Sequence, residues 1–301
     1  MNSLICLNFG GVKALCDPIL GGRITLLEFP LRGGLQRDIL WNPRTEQEKS
    51  AWIHGGIPIL FPFAGNVWAG AQKGYYANGD SILPMPIHGL VHNKPWSVDS
   101  IGVDFVCLSF HADADTLKKY PWHFSLKFTW RINTHSLTYR ADVHNRGYEG
   151  SGAKYPMPVS MGIHPYFKLA EPEEKKEPYL VSNGGGIQEV SPEGKEGSLI
   201  HKSSELPQSW QHSLYHNGII RNFADEVPRV EFFQKQHCLS LEGDALTNCF
   251  VLWSLRNRDF YCIEPWMGLP NSINSGLGLR HLQEQEKLQW SGRIQFEERS
   301  L

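Results

Sequence analysis

Three side chains in this 301-residue chain stand where a proton could be moved. Glu264 lies in "YCIEPWMGLP" (261–270), between an apolar run that reads as a strand and a proline and tryptophan that should end it. An ionised carboxylate is costly to bury unless it is paired or hydrogen-bonded, so Glu264 is either a satisfied structural group or one poised for proton transfer. His88 in "LPMPIHGLVHNKPW" (83–96) and His164 in "VSMGIHPYFKL" (159–169) stand next to glycine or proline. That punctuation places them at strand ends or rigid turns, where a side chain can face a groove, although either histidine alone reads more readily as a turn residue. Ordinary pKa values of about 6.5 for histidine and about 4.3 for glutamate let an imidazolium and a carboxylate coexist near neutrality. One group can then take a proton while another gives one, chemistry that needs no cofactor.

Other chemistries find no support. His88 and His92 are four apart but lack helical context and a third ligand, so no metal site is expected. There is no G-x-S-x-G elbow and no Walker loop, and "GLGLRH" (276–281) lacks the third glycine and βαβ setting of a dinucleotide site. The six cysteines are scattered without C-x-x-C pairs, which argues against a zinc site and a disulfide scaffold, and several, in apolar runs such as "DFVCLSF" and "NCFVLW", read as buried free thiols. With 29 basic against 31 acidic residues there is no field to concentrate nucleic acid or an anionic membrane, so neither partner is expected. The start "MNSLICLNFGG" lacks the features of a signal peptide, and no apolar stretch is long enough to span a bilayer. A cytoplasmic location is the resulting expectation.

The elements that must hold these residues are strands. Short β-rich runs recur at 23–31, 96–112, 124–145, 229–234, 238–244, 250–255, 259–265 and 292–298, separated by Gly, Pro, Asn and Asp. The clearest hairpin is 124–145, where "SLKFTWRI" and "SLTYRADV" alternate around "NTH". Helices are expected only near "TEQEKSAW" and "ADTLKKYPW". Regular strand–turn spacing without intervening helices predicts an all-β chain of large antiparallel sheets packed as a sandwich. No repeat or linker divides it, so residues 1–301 read as one domain, with "AEPEEKKEP" (170–178) and "SNGGGIQEVSPEGKEG" (182–197) as surface loops. Phe61, Phe63, Trp96, Tyr166, Phe167 and Trp266 individually read as core aromatics.

Four segments occur in an informative order: "GGIPILFP…GN", "MPIHGLVHNKPW", "GIHPYFKL" and "CIEPWMGLPNSINSG". This order resembles the aldose 1-epimerase (galactose mutarotase-like) family over roughly residues 20–298. The resemblance implies a β-supersandwich that binds a sugar in a cleft on one sheet, with no redox cofactor and no required metal. It implies that Glu264 removes the proton of the anomeric hydroxyl while His164 protonates the ring oxygen, and that reclosure of the opened ring yields the other anomer. His88 would orient the ring, with Trp266 and Asn66 among the sugar contacts. Many relatives carry an arginine where "FAGN" places Asn66, which removes a cationic bidentate contact and leaves the identity of the sugar open. The family's sugar-binding aspartate corresponds to Asp225 or, alternatively, Asp244. Arg23, Lys94 and Lys168 form no recognisable anion clamp, which points to a free hexose rather than its 6-phosphate. A non-catalytic sugar-binding protein on the same scaffold is the alternative from another functional class.

Overall fold

A computed structural model describes residues 4–43, 55–149, 155–169, 179–190, 196–202, 208–209, 216–223, 227–234, 237–255 and 258–299. Two large antiparallel sheets dominate them. The nine-stranded sheet has the order Ser97–Ile101, Phe105–His111, Trp122–Ile132, Ser136–Tyr148, Lys287–Glu298, His237–Gly243, Arg229–Phe233, Tyr179–Ser182 and Gln208–Ser209. The eight-stranded sheet has the order Glu196–Lys202, Gly186–Val190, His216–Arg221, Cys249–Ser254, Phe260–Trp266, Gly162–Ile163 and Ile59–Leu60, with Tyr166–Lys168 also paired to Phe260–Trp266. A four-stranded sheet, Ile5–Phe9, Val12–Asp17, Arg23–Pro30 and Gln36–Asp38, packs into the same core.

The expected hairpin forms as Trp122–Ile132 and Ser136–Tyr148. Asn133 closes its turn, because the side-chain carbonyl accepts the N–H groups of His135 and Ser136. The helix expected in "ADTLKKYPW" forms over Ala114–Leu117 and starts at a capping box between Asp113 and Thr116. Among the described residues no helix is long and apolar enough to cross a membrane. The stretches 45–52 and 170–178 lie outside the described residues.

Two expectations need correction. Part of 182–197 is not loop: Gly186–Val190 pairs with His216–Arg221 and with Glu196–Lys202 at the edge of the eight-stranded sheet. Its glycines make the turn before the strand, and Ile187 then packs into the core. The strand around Glu264 also does not stop at the proline but runs from Phe260 to Trp266. The carbonyl of Trp266 accepts from the Asn248 N–H on one side, and the Met267 N–H donates to Met161 on the other. By alternation the ring nitrogen of Pro265 faces the second side, where the ladder is interrupted between Ile163 and Tyr166 and asks for no donor there.

All seven residues of Phe260–Trp266 are buried, so this strand is covered on both faces. Tyr261 and Ile263 point into the interior between the large sheets, where the Tyr261 ring lies 3.8 Å from that of Phe232 on the nine-stranded sheet. Cys262, Glu264 and Trp266 point the other way, where Cys262 and Trp266 join two smaller apolar clusters. The alternation of a strand is hidden in this sequence because both of its faces are apolar.

Candidate active site

Strand register arranges the face around Glu264 as a grid. Ile219, Val251 and Glu264 lie in one row across three strands. The row on one side holds Asn217, Trp253, Cys262 and Tyr166, and the row on the other holds Arg221, Cys249, Trp266, Gly162 and Leu60. Side chains opposite one another in an antiparallel ladder share a face, so these residues surround the carboxylate.

His164 enters this grid from the interruption in the ladder. Pro165 separates the short strands Gly162–Ile163 and Tyr166–Lys168, and the His164 N–H donates to the Pro58 carbonyl at 3.0 Å. The imidazole thereby stands over the neighbouring strand, with Nε2 3.4 Å from Glu264 Oε1. Tyr166 lies against it with ring centroids 4.5 Å apart and planes 4° from parallel. Gly162 permits the approach of the two strands, since a Cβ there would lie 2.4 Å from the Trp266 ring.

His88 arrives from a separate turn, in the left-handed region at φ 64°. Its N–H donates to the Gly65 carbonyl, and the Gly65 N–H donates to His88 Nδ1 at 3.2 Å. A nitrogen that accepts carries no proton, so the neutral ring holds its proton on Nε2. Gly89 follows at φ 83°, where a Cβ would lie 2.1 Å from the Phe61 carbonyl oxygen, so only glycine fits. The His88 ring stands 5.1 Å from that of His164 and 6.0 Å from that of Trp266.

Burial pushes the Glu264 carboxyl well above the usual carboxylate range. Neither Glu264 Oε2 nor Trp266 Nε1 completes a hydrogen bond among the described residues. A buried carboxyl oxygen left in that state is costly for structure and available for chemistry. Cys262 brings its sulfur into the same space: donor atoms of His164, Cys262 and Glu264 all lie within 4.8 Å of one another. A soft divalent ion could use that set, but it would have to displace the proton of a thiol that burial holds well above its ordinary pKa.

The remaining expectations divide. Asn66 is half-buried next to the Gly65 turn that holds His88, and its carbonyl accepts from Asn271. Trp266 is 3% exposed and forms the wall behind His88. Asp225 lies outside the described residues. Asp244 is occupied in structure, accepting from the Leu246 N–H and from both the N–H and hydroxyl of Ser291. Arg23 is 2% exposed and binds the carbonyls of Leu20, Gly55 and His92, while Lys94 pairs with Asp113 and Lys168 with Asp38. These three cations are engaged separately and form no common anion site.

Sequence reasoning passed over Cys262, and it read Tyr166 only as a core aromatic. Each stands two positions from a residue already singled out, and period-two alternation would have placed them on the same face. Trp253 was also missed; its ring meets that of His164 edge-on at 5.8 Å, a contact that strand register alone reveals. A cavity of about 550 Å³ borders this face at Arg221, lined also by Asn222, Thr247, Asn248 and Leu269 but not by His88, His164 or Glu264.

Comparison with known proteins places the whole chain. Protein LacX (plasmid) of Lactococcus lactis subsp. lactis is 26% identical over 272 residues, covering 85% of each chain. Among solved structures, the Slr1438 protein of Synechocystis sp. PCC 6803 superposes with a TM-score of 0.83 at 23% identity over 99% of this chain and 97% of that one. Galactose 1-epimerase of Lactobacillus acidophilus NCFM gives a TM-score of 0.65 at 16% identity over 97% and 92%. The sequence pattern of aldose 1-epimerases matches residues 4–295, and the chain, a galactose mutarotase-like β-sandwich in fold, belongs to the aldose 1-epimerase family.

Proposed function

We propose that the protein is an aldose 1-epimerase that interconverts the α and β anomers of a free hexose. The observation that carries this reading is the buried contact between His164 Nε2 and Glu264 Oε1 at 3.4 Å. The anomeric and ring oxygens of a pyranose are bonded to the same carbon. A base and an acid this close together can therefore each reach one of them at hydrogen-bond distance. Glu264 takes the proton of the anomeric hydroxyl while His164 gives one to the ring oxygen. The bond between C1 and the ring oxygen breaks, leaving an open-chain aldehyde. Rotation about C1–C2 followed by reclosure with the roles reversed delivers the opposite anomer and restores both groups. His88, whose Nε2 bears a proton when neutral, donates to a sugar oxygen, and Trp266 and Asn66 frame the ring.

The raised Glu264 carboxyl supports the same reading, since a base with higher proton affinity removes an alcohol proton more readily. The test is anomer exchange of freshly dissolved α-D-glucose and α-D-galactose, and of their 6-phosphates, followed by NMR against the spontaneous rate. Faster exchange of the free sugars is expected. Acceleration of the phosphates alone would replace the substrate class, and acceleration of none would leave a sugar-binding protein.

A further inference from the structure

Among the described residues one group of three side chains brings metal-binding atoms together: an imidazole nitrogen of His164, the Cys262 sulfur and a carboxylate oxygen of Glu264, all within 4.8 Å of one another. Alternation sets Cys262 and Glu264 on one face of Phe260–Trp266, and the interruption at Pro165 brings His164 over that face. The spacing is that of a coordination sphere. Zinc bonds of about 2.0–2.1 Å to nitrogen and oxygen make a tetrahedral edge of about 3.4 Å, and His164 Nε2 stands 3.4 Å from Glu264 Oε1. With a bond of about 2.3 Å to sulfur the other edges are about 3.6 Å, so the thiol has at most about 1.2 Å to close, an adjustment shared among three side chains. A second observation points the same way. Glu264 is 1% exposed, yet its Oε2 completes no hydrogen bond among the described residues, and a buried carboxylate in that state gains most from a cation.

We propose that His164, Cys262 and Glu264 bind one thiophilic divalent cation of the zinc class, and that the bound cation shuts off proton transfer by the His164–Glu264 pair. Imidazole and thiolate select such an ion over calcium or magnesium, which take oxygen ligands. On binding, the Cys262 S–H bond gives its proton to solvent and the sulfur its electron pair to the ion, while His164 enters neutral and Glu264 ionised. The two charges of the ion then balance one thiolate and one carboxylate. The centre is neutral, which offsets the cost of burying Glu264 as an anion. The Tyr166 hydroxyl, 3.3 Å from His164 Nε2, yields that contact to the ion. An ion needs no seat for a sugar ring, only the approach that the reacting carbon of a sugar must also have. Three protein ligands leave a fourth position open, where a chelator can begin to remove the ion. With the imidazole lone pair and the carboxylate both committed, neither group can give or take a proton at a sugar. Coordination stands independently of the mutarotase reading; the loss of exchange rests on it.

Titration of the full chain with Cd²⁺ tests the site. The wild type should bind a cation that carries a thiolate-to-cadmium charge-transfer band in the ultraviolet, and Zn²⁺ should displace it. Cys262→Ser should lose the band, and its Cd²⁺ affinity should fall at least about tenfold, the least that loss of even a partner behind a metal ligand costs. Cys6→Ala, at an exposed thiol outside the group, should keep both. A band absent from the wild type, or one that survives in Cys262→Ser, overturns the proposal. Should Cys262→Ser fail to fold, Glu264→Gln decides through affinity: a loss of at least about tenfold is expected, and a smaller one overturns the site. For the consequence, anomer exchange by the wild type, followed by NMR, should fall to the spontaneous rate when Cd²⁺ is bound and return with EDTA. Full-rate exchange by the cadmium-loaded protein overturns the shut-off. A wild type that shows no exchange even without metal sinks the mutarotase reading alone, and the charge-transfer band still decides the site.

Discussion

Glu264 is the residue on which the functional reading turns, and its burial gives two predictions of known sign. The base works only when ionised, and its ionised fraction falls as the pH drops through its pKa. Because burial raises that pKa, the acidic limb of kcat/KM should lie above the ordinary carboxylate value of about 4.3, as a property of the coupled His164–Glu264 pair. A limb at or below that value, after subtraction of the spontaneous rate, would remove Glu264 as the base. The second prediction concerns stability. A folded state with a raised carboxyl pKa holds its proton more tightly than the unfolded chain, so the stability it contributes is complete below the unfolded pKa and is lost as the pH rises through the folded one. Glu264→Gln should therefore melt at or above the wild-type temperature at neutral pH, by a margin that widens as the pH increases. A lower melting temperature for Glu264→Gln at pH 7 would return Glu264 to a structural role.

At the scale of elements, Gly162 sets the approach of neighbouring strands within one sheet and His237 the contact between two sheets. Gly162→Ala would drive a methyl group into the Trp266 ring, so thermal unfolding should show a loss of about 1–3 kcal/mol, the usual range for overpacking. Exchange should slow with it, because Trp266 backs His88; unchanged stability would mean that the two strands separate freely. His237, 4% exposed, accepts from Arg37 at 3.2 Å across the contact between the four-stranded and nine-stranded sheets. Burial and that guanidinium hold its imidazole down at about 4. A depressed histidine contributes stability that is present above its unfolded value of about 6.5 and is lost as the pH falls toward 4. The melting temperature should drop through that window, and His237→Gln should flatten this part of the profile; an identical slope in the variant would place the acid sensitivity elsewhere.

Over the whole molecule, the strands were legible where one face is polar, as in Trp122–Ile132 and Ser136–Tyr148, whose alternation survives in the sequence. Alternation failed as a guide at Phe260–Trp266, because a strand buried on both faces reads as a plain apolar run. Glu264, His164 and His88 could be singled out, because a charge among apolar residues and histidines at glycine and proline turns are local signals. Their convergence could not, since His88 and Glu264 are 176 positions apart in the chain and meet through turns and register. Trp253 and Arg221 carry no local mark at all and enter only through the pairing of Cys249–Ser254 with both of its neighbours. The central claim is that one buried acid–base pair on this face opens and recloses a sugar ring. It is tested most directly by NMR exchange between the α and β anomers of D-galactose and D-glucose, with wild type and Glu264→Gln compared at equal concentration. The account predicts exchange well above the spontaneous rate for the wild type with at least one of these sugars, and a loss of at least about a hundredfold in Glu264→Gln. Wild-type exchange at the spontaneous rate with both sugars, or an enhancement that survives intact in Glu264→Gln, would contradict it.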